Sequence, residues 1–222
     1  MITILVIADD FTGALDSGVQ LAKAGIKTLV TTDCNVDLSV DNEYQALVVD
    51  NETRHIPPED AGDRVFKLAK QAQAKGIPYI YKKTDSTLRG NVGSELHALL
   101  RAAESGRVYF APAFPKTGRT TENGIQYLRG IPLEQTAFAH DPIDPVKTGV
   151  ISDIIACQAP GIPVRVVNVG DYAAVTPPDK PDIVVLDAKC DNDLKNIAHF
   201  LHGIDGLGVA SGCAGLLEYY PQ

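Results

Sequence analysis

Apolar residues in this chain alternate between short uninterrupted runs and helical repeats. The first run, Ile2 to Ala8, ends at two adjacent carboxylates, Asp9 and Asp10. The helical period that follows has an apolar face made of Leu15, Val19 and Ala22. An uninterrupted run rich in β-branched residues is typical of a strand that is covered on both sides, as in a parallel sheet between helices. This stretch therefore predicts a buried strand and a helix, with the two carboxylates at their junction.

The alternation of strand and helix continues to the end of the sequence. Short apolar runs predict strands at 27–32, 46–50, 79–84, 108–111, 164–169, 183–187 and 208–210. Helical spacing predicts helices at 57–76, around 96–103, around 146–157, at 194–201, and from the turn 211–215 to Pro221, with 33–43 as a loop. Strand–helix–strand units of this kind form parallel sheets with right-handed crossovers.

A single α/β domain over residues 1–222 is therefore expected. A chain of 222 residues is long enough to bury a large core without a disulfide or metal staple. We predict a three-layer fold, with a mostly parallel sheet, helices on both faces, and a ligand site at the carboxyl ends of the strands.

One segment, Pro112 to Thr136, interrupts the alternation. It contains three prolines and three glycines and has no helical period. The sequence Glu122-Asn123-Gly124 before Ile125–Leu128 predicts a hairpin. Loops of this length inside a domain are usually functional, so a lid is one interpretation of the segment.

Composition and charge narrow the classes of partner. Hydrophobic residues make up 45% and charged residues 22% of the chain, which is ordinary for a soluble globular protein. The net charge of −8 argues against a nucleic acid or an anionic membrane as partner, although a few local cations could still bind a small anion. Four scattered cysteines and an apolar N-terminal run too short for a signal peptide lead us to expect a cytoplasmic chain without disulfides.

Three polar clusters follow predicted strands: Asp9-Asp10, 52–54 and 82–90. The carboxyl ends of parallel strands meet at one edge of a sheet, so these clusters should converge. Each also has a simpler explanation. Asp10 or Thr12 can serve as the N-cap of the first helix, and Arg54 alone is typical of a solvated loop cation. The third cluster is harder to explain as a solvated surface, because it combines hydroxyls, a carboxylate and several cations.

The side chains in these clusters suit one kind of ligand. Lys83 and Arg89 supply positive charge for an anion, and an arginine can grip a carboxylate through two hydrogen bonds. Ser86 can donate a hydrogen bond to an oxyanion, while Asp10 and Asp85 can accept hydrogen bonds from hydroxyl groups. The combination predicts a ligand that carries both a carboxylate and several alcohols, with Asp10 facing it and Asp9 supporting the turn.

Motifs for nucleotides and metals are missing from this sequence. It has no GxxxxGK[ST], no GxGxxG after a strand, no HExxH and no GxSxG. The Gly-rich turn 211–215 is a weak phosphate signal and is explained equally well by tight packing. The five histidines form no pair with ligand spacing, and we predict no metal site.

Four segments together resemble one known family. IADDFTGALDSGVQLAKAG, KKTDSTLRGNVGSEL, APAFPKTGRTTENG and HDPIDPV are similar to the N-terminal half of the four-carbon acid sugar kinases, which phosphorylate threonate, erythronate and related sugar acids with ATP. The resemblance extends from Ile4 to the turn 211–215. It implies that this domain binds the sugar acid and that a second α/β domain binds ATP and Mg, with catalysis in the cleft between them.

The resemblance also implies roles for individual residues. The implied substrate contacts are Asp10, Arg54, Lys83, Thr84, Asp85, Ser86 and Arg89. Arg54, Lys83 and Arg89 would neutralise the substrate carboxylate. Asp10 or Asp85 would be the catalytic carboxylate that orients the attacking hydroxyl and accepts its proton.

The sequence ends at Gln222, where the nucleotide domain of that family would begin. The chain is then a truncated gene product, one half of a split kinase whose partner chain carries the nucleotide domain, or a domain retained for binding, and a homo-oligomer is compatible with the sequence. The alternative is a non-catalytic sugar-acid-binding or interaction module. A phosphohydrolase of the haloacid dehalogenase type fits less well, because its two aspartates are separated by one residue and here they are adjacent. The particular sugar acid stays open.

Overall fold

The computed structural model describes residues 1–38, 43–204 and 208–220. The strands are β1 (Ile4–Ala8), β2 (Thr28–Thr31), β3 (Ala46–Asp50), β4 (Tyr79–Lys83), β5 (Arg107–Ala111), β6 (Arg119–Glu122), β7 (Ile125–Leu128), β8 (Ile131–Pro132), β9 (Val164–Val167), β10 (Asp182–Leu186) and β11 (Val209–Gly212). The helices are α1 (Phe11–Lys23), α2 (Pro58–Ala74), α3 (Val92–Ala102), α4 (Ile151–Gln158), α5 (Asp191–Gly203) and α6 (Ala214–Leu217).

The main sheet has the strand order β2-β3-β1-β4-β11-β5-β10-β9, and its neighbouring strands are paired in parallel. From β1 the chain goes to β2 at the edge of the sheet and returns to β3, which lies between β2 and β1. It then crosses to β4 on the other side of β1. The strand order therefore reverses between β1 and β4. Open α/β sheets bind ligands in the crevice at the carboxyl ends of the strands at such a reversal.

Helices cover both faces of this sheet. Along β1, Leu5 and Ile7 pack into the apolar cluster formed with α2, α3 and α4, whereas Val6 packs into the cluster formed with α1, α5 and α6. This alternation follows from the two-residue period of a strand. The uninterrupted apolar run is thus explained by a strand buried on both faces, and the predicted three-layer fold with a parallel sheet is confirmed.

The prediction that Leu15, Val19 and Ala22 form the buried face of α1 is wrong. Leu15, Val19 and Ala22 are exposed, and the buried face carries Ala14 and Leu21 together with smaller residues. The reason is the close approach of α1 to β2. A Cβ atom at Gly18 would lie 2.6 Å from the side chain of Val30, so only a glycine fits at this contact.

The segment 112–136 contains the predicted hairpin. β6 and β7 pair antiparallel, and Asn123 and Gly124 both have positive φ, as a two-residue hairpin turn requires. The helix predicted around 146–157 begins only at Ile151, because Gly149 accepts a hydrogen bond from the Gln126 N–H and is held against β7.

The end of the chain also differs from the prediction. The last helix is the short α6, and Pro221, where we expected it to stop, lies outside the described residues, as do residues 39–42 of the predicted loop. Across the described ranges, each helix is too short or too polar to cross a membrane.

Candidate functional site

A cavity of about 240 Å³ opens at the carboxyl ends of β1, β4 and β11. It lies at the reversal of strand order, where the sequence predicts the ligand site. The residues that line it are Asp10, Thr12, Gly13, Asp16, Arg54, Lys83, Asp85, Ser86, Arg89, Phe114, Cys213 and Ala214. The three polar clusters of the sequence therefore do converge, and six of the seven predicted contact residues reach the cavity wall.

Arg54 lies between the two carboxylates that follow β1. Its Nε and Nη2 atoms are 2.8 and 2.7 Å from Asp9 Oδ2, and its Nη1 atom is 2.7 Å from Asp10 Oδ2. Asp10 also caps α1, because its Oδ1 atom accepts a hydrogen bond of 2.8 Å from the Gly13 N–H. Burial opposes the charge of Arg54, but the carboxylates of Asp9, Asp85 and Asp10 raise its pKa above the ordinary value. Asp10 is thus both a helix cap and a cavity wall.

The segment that carries Arg54 is held in place by its backbone. The N–H groups of Thr53 and Arg54 donate to the carbonyl oxygen of Asp9, and the side-chain amide of Asn91 donates to the carbonyls of Thr53 and Ile56 at 2.8 Å each. A Cβ atom at Gly90, which has a positive φ, would lie 2.8 Å from the Arg54 side chain. Gly90 therefore leaves room for the arginine beneath the carboxylates.

Asp85 and Arg89 form a second ion pair in the cavity wall. Asp85 Oδ2 accepts hydrogen bonds of 2.6 Å from both Arg89 Nε and the Thr87 hydroxyl. Arg89 also contacts Asp141 at 3.1 Å and stacks on Phe138. Burial acts to raise the pKa of Asp85, but the hydrogen bond and charge of Arg89 and the charge of Arg54 lower it to about 2. Asp85 can therefore accept hydrogen bonds from a ligand, but it is a weak base at neutral pH.

Lys83 is the cation that these pairs leave free. The residue is only 5% exposed, and no hydrogen bond or ion pair to its ammonium group is found among the described residues. The position of a Cβ atom built on Gly13 is 2.7 Å from Lys83 Nζ and 2.6 Å from Asp10 Oδ1, so glycine makes room for both groups. An ammonium group that lines a cavity without an ion pair to the protein is available to an anionic group of a ligand. This arrangement points to an anionic ligand in the cavity.

Two neighbours of Lys83 differ in their relation to the cavity. Ser86 is half-buried and lines it. Thr84 is buried outside the cavity wall, and its hydroxyl has no hydrogen-bond partner in the part of the chain that the structure describes. The Thr84 N–H donates to the Gly212 carbonyl at 2.8 Å, which ties this loop to β11.

Lys82 lies on the other face of the sheet from Lys83. Its ammonium is 2.9 Å from Glu95 Oε2 and donates to the Lys83 carbonyl at 2.6 Å, while the Thr53 hydroxyl donates to the second oxygen of Glu95. Burial raises the pKa of Glu95, and the charge of Lys82 partly opposes this. Our sequence reasoning missed Glu95. The two-residue period of β4 could have revealed it, because one of two adjacent lysines had to face the core.

The Gly-rich turn after β11 forms part of the cavity wall through Cys213 and Ala214. A Cβ atom at Gly212 would overlap the carbonyl oxygen of Ala111, and one at Gly215 would lie 2.8 Å from that of Ala113. Tight packing therefore explains both glycines, and phosphate binding is not needed to account for them.

The hairpin segment supports the site from the side of Ser86. The Gln126 side chain is fully buried and donates hydrogen bonds to the carbonyls of Ser86 at 2.9 Å and Pro112 at 3.2 Å. This contact fixes the loop after β4. The idea that the segment moves as a lid stays a prediction.

The residues of this site do not fit ATP and Mg. Within the described ranges no group of three or more His, Cys, Asp or Glu side chains is placed to hold a metal ion, and Asp10 and Asp85 are each paired with an arginine. The cavity is also smaller than the roughly 300–1,000 Å³ that drug-sized ligands occupy.

This fold and this cavity together define an α/β domain with a small polar cavity at the carboxyl ends of its parallel strands. The family model described as a sugar-binding N-terminal domain matches residues 4–220, and the chain belongs to that family. The resemblance seen in the sequence is thereby confirmed.

Two curated relatives and one solved structure illustrate the family. D-threonate kinase of Salmonella typhimurium is 36% identical and the match covers 98% of this chain and 53% of the relative. D-erythronate kinase of Heliobacterium modesticaldum is 35% identical, with 96% and 51% covered. This chain thus spans about half the length of these relatives. A crystal structure of a domain of unknown function from Bordetella bronchiseptica, a domain-swapped dimer with bound citrate, has a TM-score of 0.84 and 31% identity, covering 98% of this chain and 56% of that one.

Proposed function

We propose that this chain is the substrate-binding domain of an ATP-dependent four-carbon sugar-acid kinase of the threonate or erythronate type. One observation carries the proposal. Lys83 is only 5% exposed and lines a small cavity, and its ammonium has no hydrogen bond or ion pair among the described residues, while the Asp10 and Asp85 carboxylates and the Ser86 side chain form other parts of the wall. One cation among hydrogen-bonding groups matches one carboxylate among several alcohols. Relatives named for D-threonate and D-erythronate act on ligands of this kind.

Each site residue has a role in this proposal. Lys83 pairs with the substrate carboxylate, and Asp10, Asp85 and Ser86 bind its hydroxyl groups. Asp10 orients the attacking hydroxyl and accepts its proton, since the low pKa of Asp85 suits it better for accepting a hydrogen bond than a proton. Arg54 and Arg89 act through Asp10 and Asp85, which they hold in place, and Thr84 supports the loop through its backbone.

The phosphoryl donor comes from elsewhere in this proposal. Because the residues of this cavity do not fit ATP and Mg, a separate nucleotide domain binds them, either on a partner chain or on the same polypeptide. Phosphoryl transfer requires mainly positioning and charge stabilisation from a protein, and this domain supplies the positioning of the acceptor. The dimeric Bordetella bronchiseptica structure makes assembly with a second copy a further arrangement to test.

Titration calorimetry tests the binding role. D-threonate, D-erythronate and L-threonate are titrated into the chain without nucleotide, and at least one should bind with a Kd below about 1 mM. Lys83→Met should weaken that binding about 10- to 150-fold, the value of a hydrogen bond to a charged group. The exposed Lys67 provides the control, because Lys67→Met removes the same charge far from the cavity wall. Failure of all three acids to bind, or equal affinities for Lys83→Met and wild type, would refute the proposal.

The misfit of ATP and Mg also favours a second candidate, a sugar-acid-binding module without catalysis. The two candidates differ in turnover. The chain is mixed with ATP, Mg, the bound sugar acid and a separately produced nucleotide domain. Formation of ADP only in the complete mixture supports the kinase, and binding without ADP formation supports the module.

A further inference from the structure

Three apolar side chains form an exposed row along α1, here called the α1 stripe: Phe11, Leu15 and Val19. They are 48%, 44% and 48% exposed and are spaced by four residues, so they lie on one side of the helix. Other large apolar side chains that are exposed in the described ranges lie on different elements and lack this helical spacing, namely Met1, Ile131, Ile143, Val166, Val169 and Ile204.

The opposite side of α1 is already used by the core. Ala14 and Leu21 are fully buried against the sheet. A helix with apolar residues on both sides is typical of one that is covered twice, and an exposed apolar patch with a polar rim marks an interaction surface. Thr12 and Asp16 supply such a rim on the side of the cavity.

The position of the stripe connects it to the site. Phe11 directly follows the cap residue Asp10, and the first turns of the same helix contribute Thr12, Gly13 and Asp16 to the cavity wall. A protein surface that covers the stripe must therefore lie beside the mouth of the cavity. This is where a phosphoryl donor has to arrive.

We propose that the α1 stripe is the docking surface for the nucleotide domain, which would present an apolar patch to Leu15 and its two neighbours. The inference rests on the proposed function. Two observations favour this occupant over others. The residues of the cavity do not fit ATP and Mg, so the donor must come to the cavity mouth, and the curated relatives have about as many residues again as they share with this chain. Interfaces between domains bury roughly 600–1,500 Å², and the stripe would form the apolar centre of such a contact.

Binding to a defined nucleotide domain tests the inference. The probe is the folded C-terminal half of the Salmonella typhimurium D-threonate kinase, and sedimentation velocity measures its association with this chain. The wild-type chain should bind with a Kd below about 100 µM, as weak specific contacts do. Leu15→Asp should weaken association at least about 10-fold, since it places a charge in the apolar centre of the contact. Ile131→Asp, which changes an equally exposed side chain on β8, should have no effect.

Further controls separate this inference from the proposed function. Val19→Lys repeats the test with the opposite charge, and both stripe variants should keep the unfolding midpoint of the wild type because the replaced side chains are exposed. Three results would each overturn the docking inference. The wild-type chain does not associate with the probe, Leu15→Asp associates as strongly as the wild type, or the chain associates with itself and Leu15→Asp abolishes this self-association. Sugar-acid binding is measured by calorimetry on the chain alone. Its failure would refute the proposed function even if stripe-dependent docking is observed.

Discussion

Replacing Lys82 by methionine would test the buried ion pair behind the cavity. The change leaves the Glu95 carboxylate fully buried, with the Thr53 hydroxyl as its remaining hydrogen-bond partner in the described structure. Breaking a buried pair by removing one partner typically costs about 3–5 kcal/mol. We therefore expect Lys82→Met to lower the free energy of unfolding by this amount at pH 8. At this pH the unfolded chain has an ionised Glu95, and folding must either bury that charge without Lys82 or add a proton to it.

The pKa of Glu95 determines how the free energy of unfolding of Lys82→Met changes with pH. Burial already raises the pKa of Glu95 above its ordinary value of 4.5, and loss of the Lys82 charge raises it further. A carboxyl whose pKa is higher in the folded than in the unfolded state binds more protons when folded, so the free energy of unfolding falls as pH rises between the two values. The slope is at most about 1.4 kcal/mol per pH unit. Lys82→Met should thus approach the wild type near pH 4.5 and differ most at pH 8.

Urea denaturation between pH 4.5 and 8 measures both effects. The double variant Lys82→Met/Glu95→Gln carries no charge at either position, so the added pH slope should disappear. Lys67→Met serves as the exposed control and should stay within about 0.5 kcal/mol of the wild type. If Lys82→Met lies within about 1 kcal/mol of the wild type at pH 8, or has the same pH slope as the double variant, the Lys82–Glu95 ion pair does not stabilise the fold as stated.

Gly212→Ala should lower the free energy of unfolding in urea by about 1–3 kcal/mol, because its Cβ overlaps the Ala111 carbonyl, whereas Gly203→Ala in open space should raise it by up to about 1 kcal/mol; equal effects would contradict this packing. Asp85→Asn should lower the free energy of unfolding by about 2 kcal/mol at pH 7. The lowered pKa of Asp85 stabilises the fold above pH 4, and this contribution is lost as pH falls towards 2. If the free energy of unfolding of Asp85→Asn falls between pH 4 and 2 as steeply as that of the wild type, Asp85 does not make this contribution. Arg54→Ala leaves Asp10 unpaired and should weaken sugar-acid binding at least about 10-fold by calorimetry; an unchanged affinity would show that Arg54 does not position the site.

The architecture could be predicted because strands that are buried on both faces have uninterrupted apolar runs in the sequence. The run ending at Ala8 fixed a strand covered on both faces, and the carboxylates after it marked the sheet edge. The orientation of α1 could not be predicted in the same way. Both sides of that helix carry apolar residues, and the choice between them depends on the close contact of Gly18 with Val30, a shape constraint that hydrophobic periodicity does not record.

The residues that line the cavity could be predicted from the sequence, but the ion pairs among them could not. Residue types and strand ends were enough to bring Asp10, Arg54 and Lys83 to one cavity. The sequence could not reveal that Arg54 is occupied by protein carboxylates and that Lys83 is left free, because this depends on how the loops after β1 and β3 fold over each other. Three cations that looked equivalent in the sequence therefore have different roles in the structure.

In the proposed function, Lys83 recognises the carboxylate of a four-carbon sugar acid. Calorimetry on a two-by-two cycle tests it most directly, with wild type and Lys83→Met each titrated with D-threonate and with D-threitol, in which an alcohol replaces the carboxylate (or with D-erythronate and erythritol, if that acid binds more tightly). The wild type should lose about 10- to 150-fold in affinity when the carboxylate is removed, whereas Lys83→Met should lose almost none. An equal loss in both proteins would mean that a group other than Lys83 binds the carboxylate.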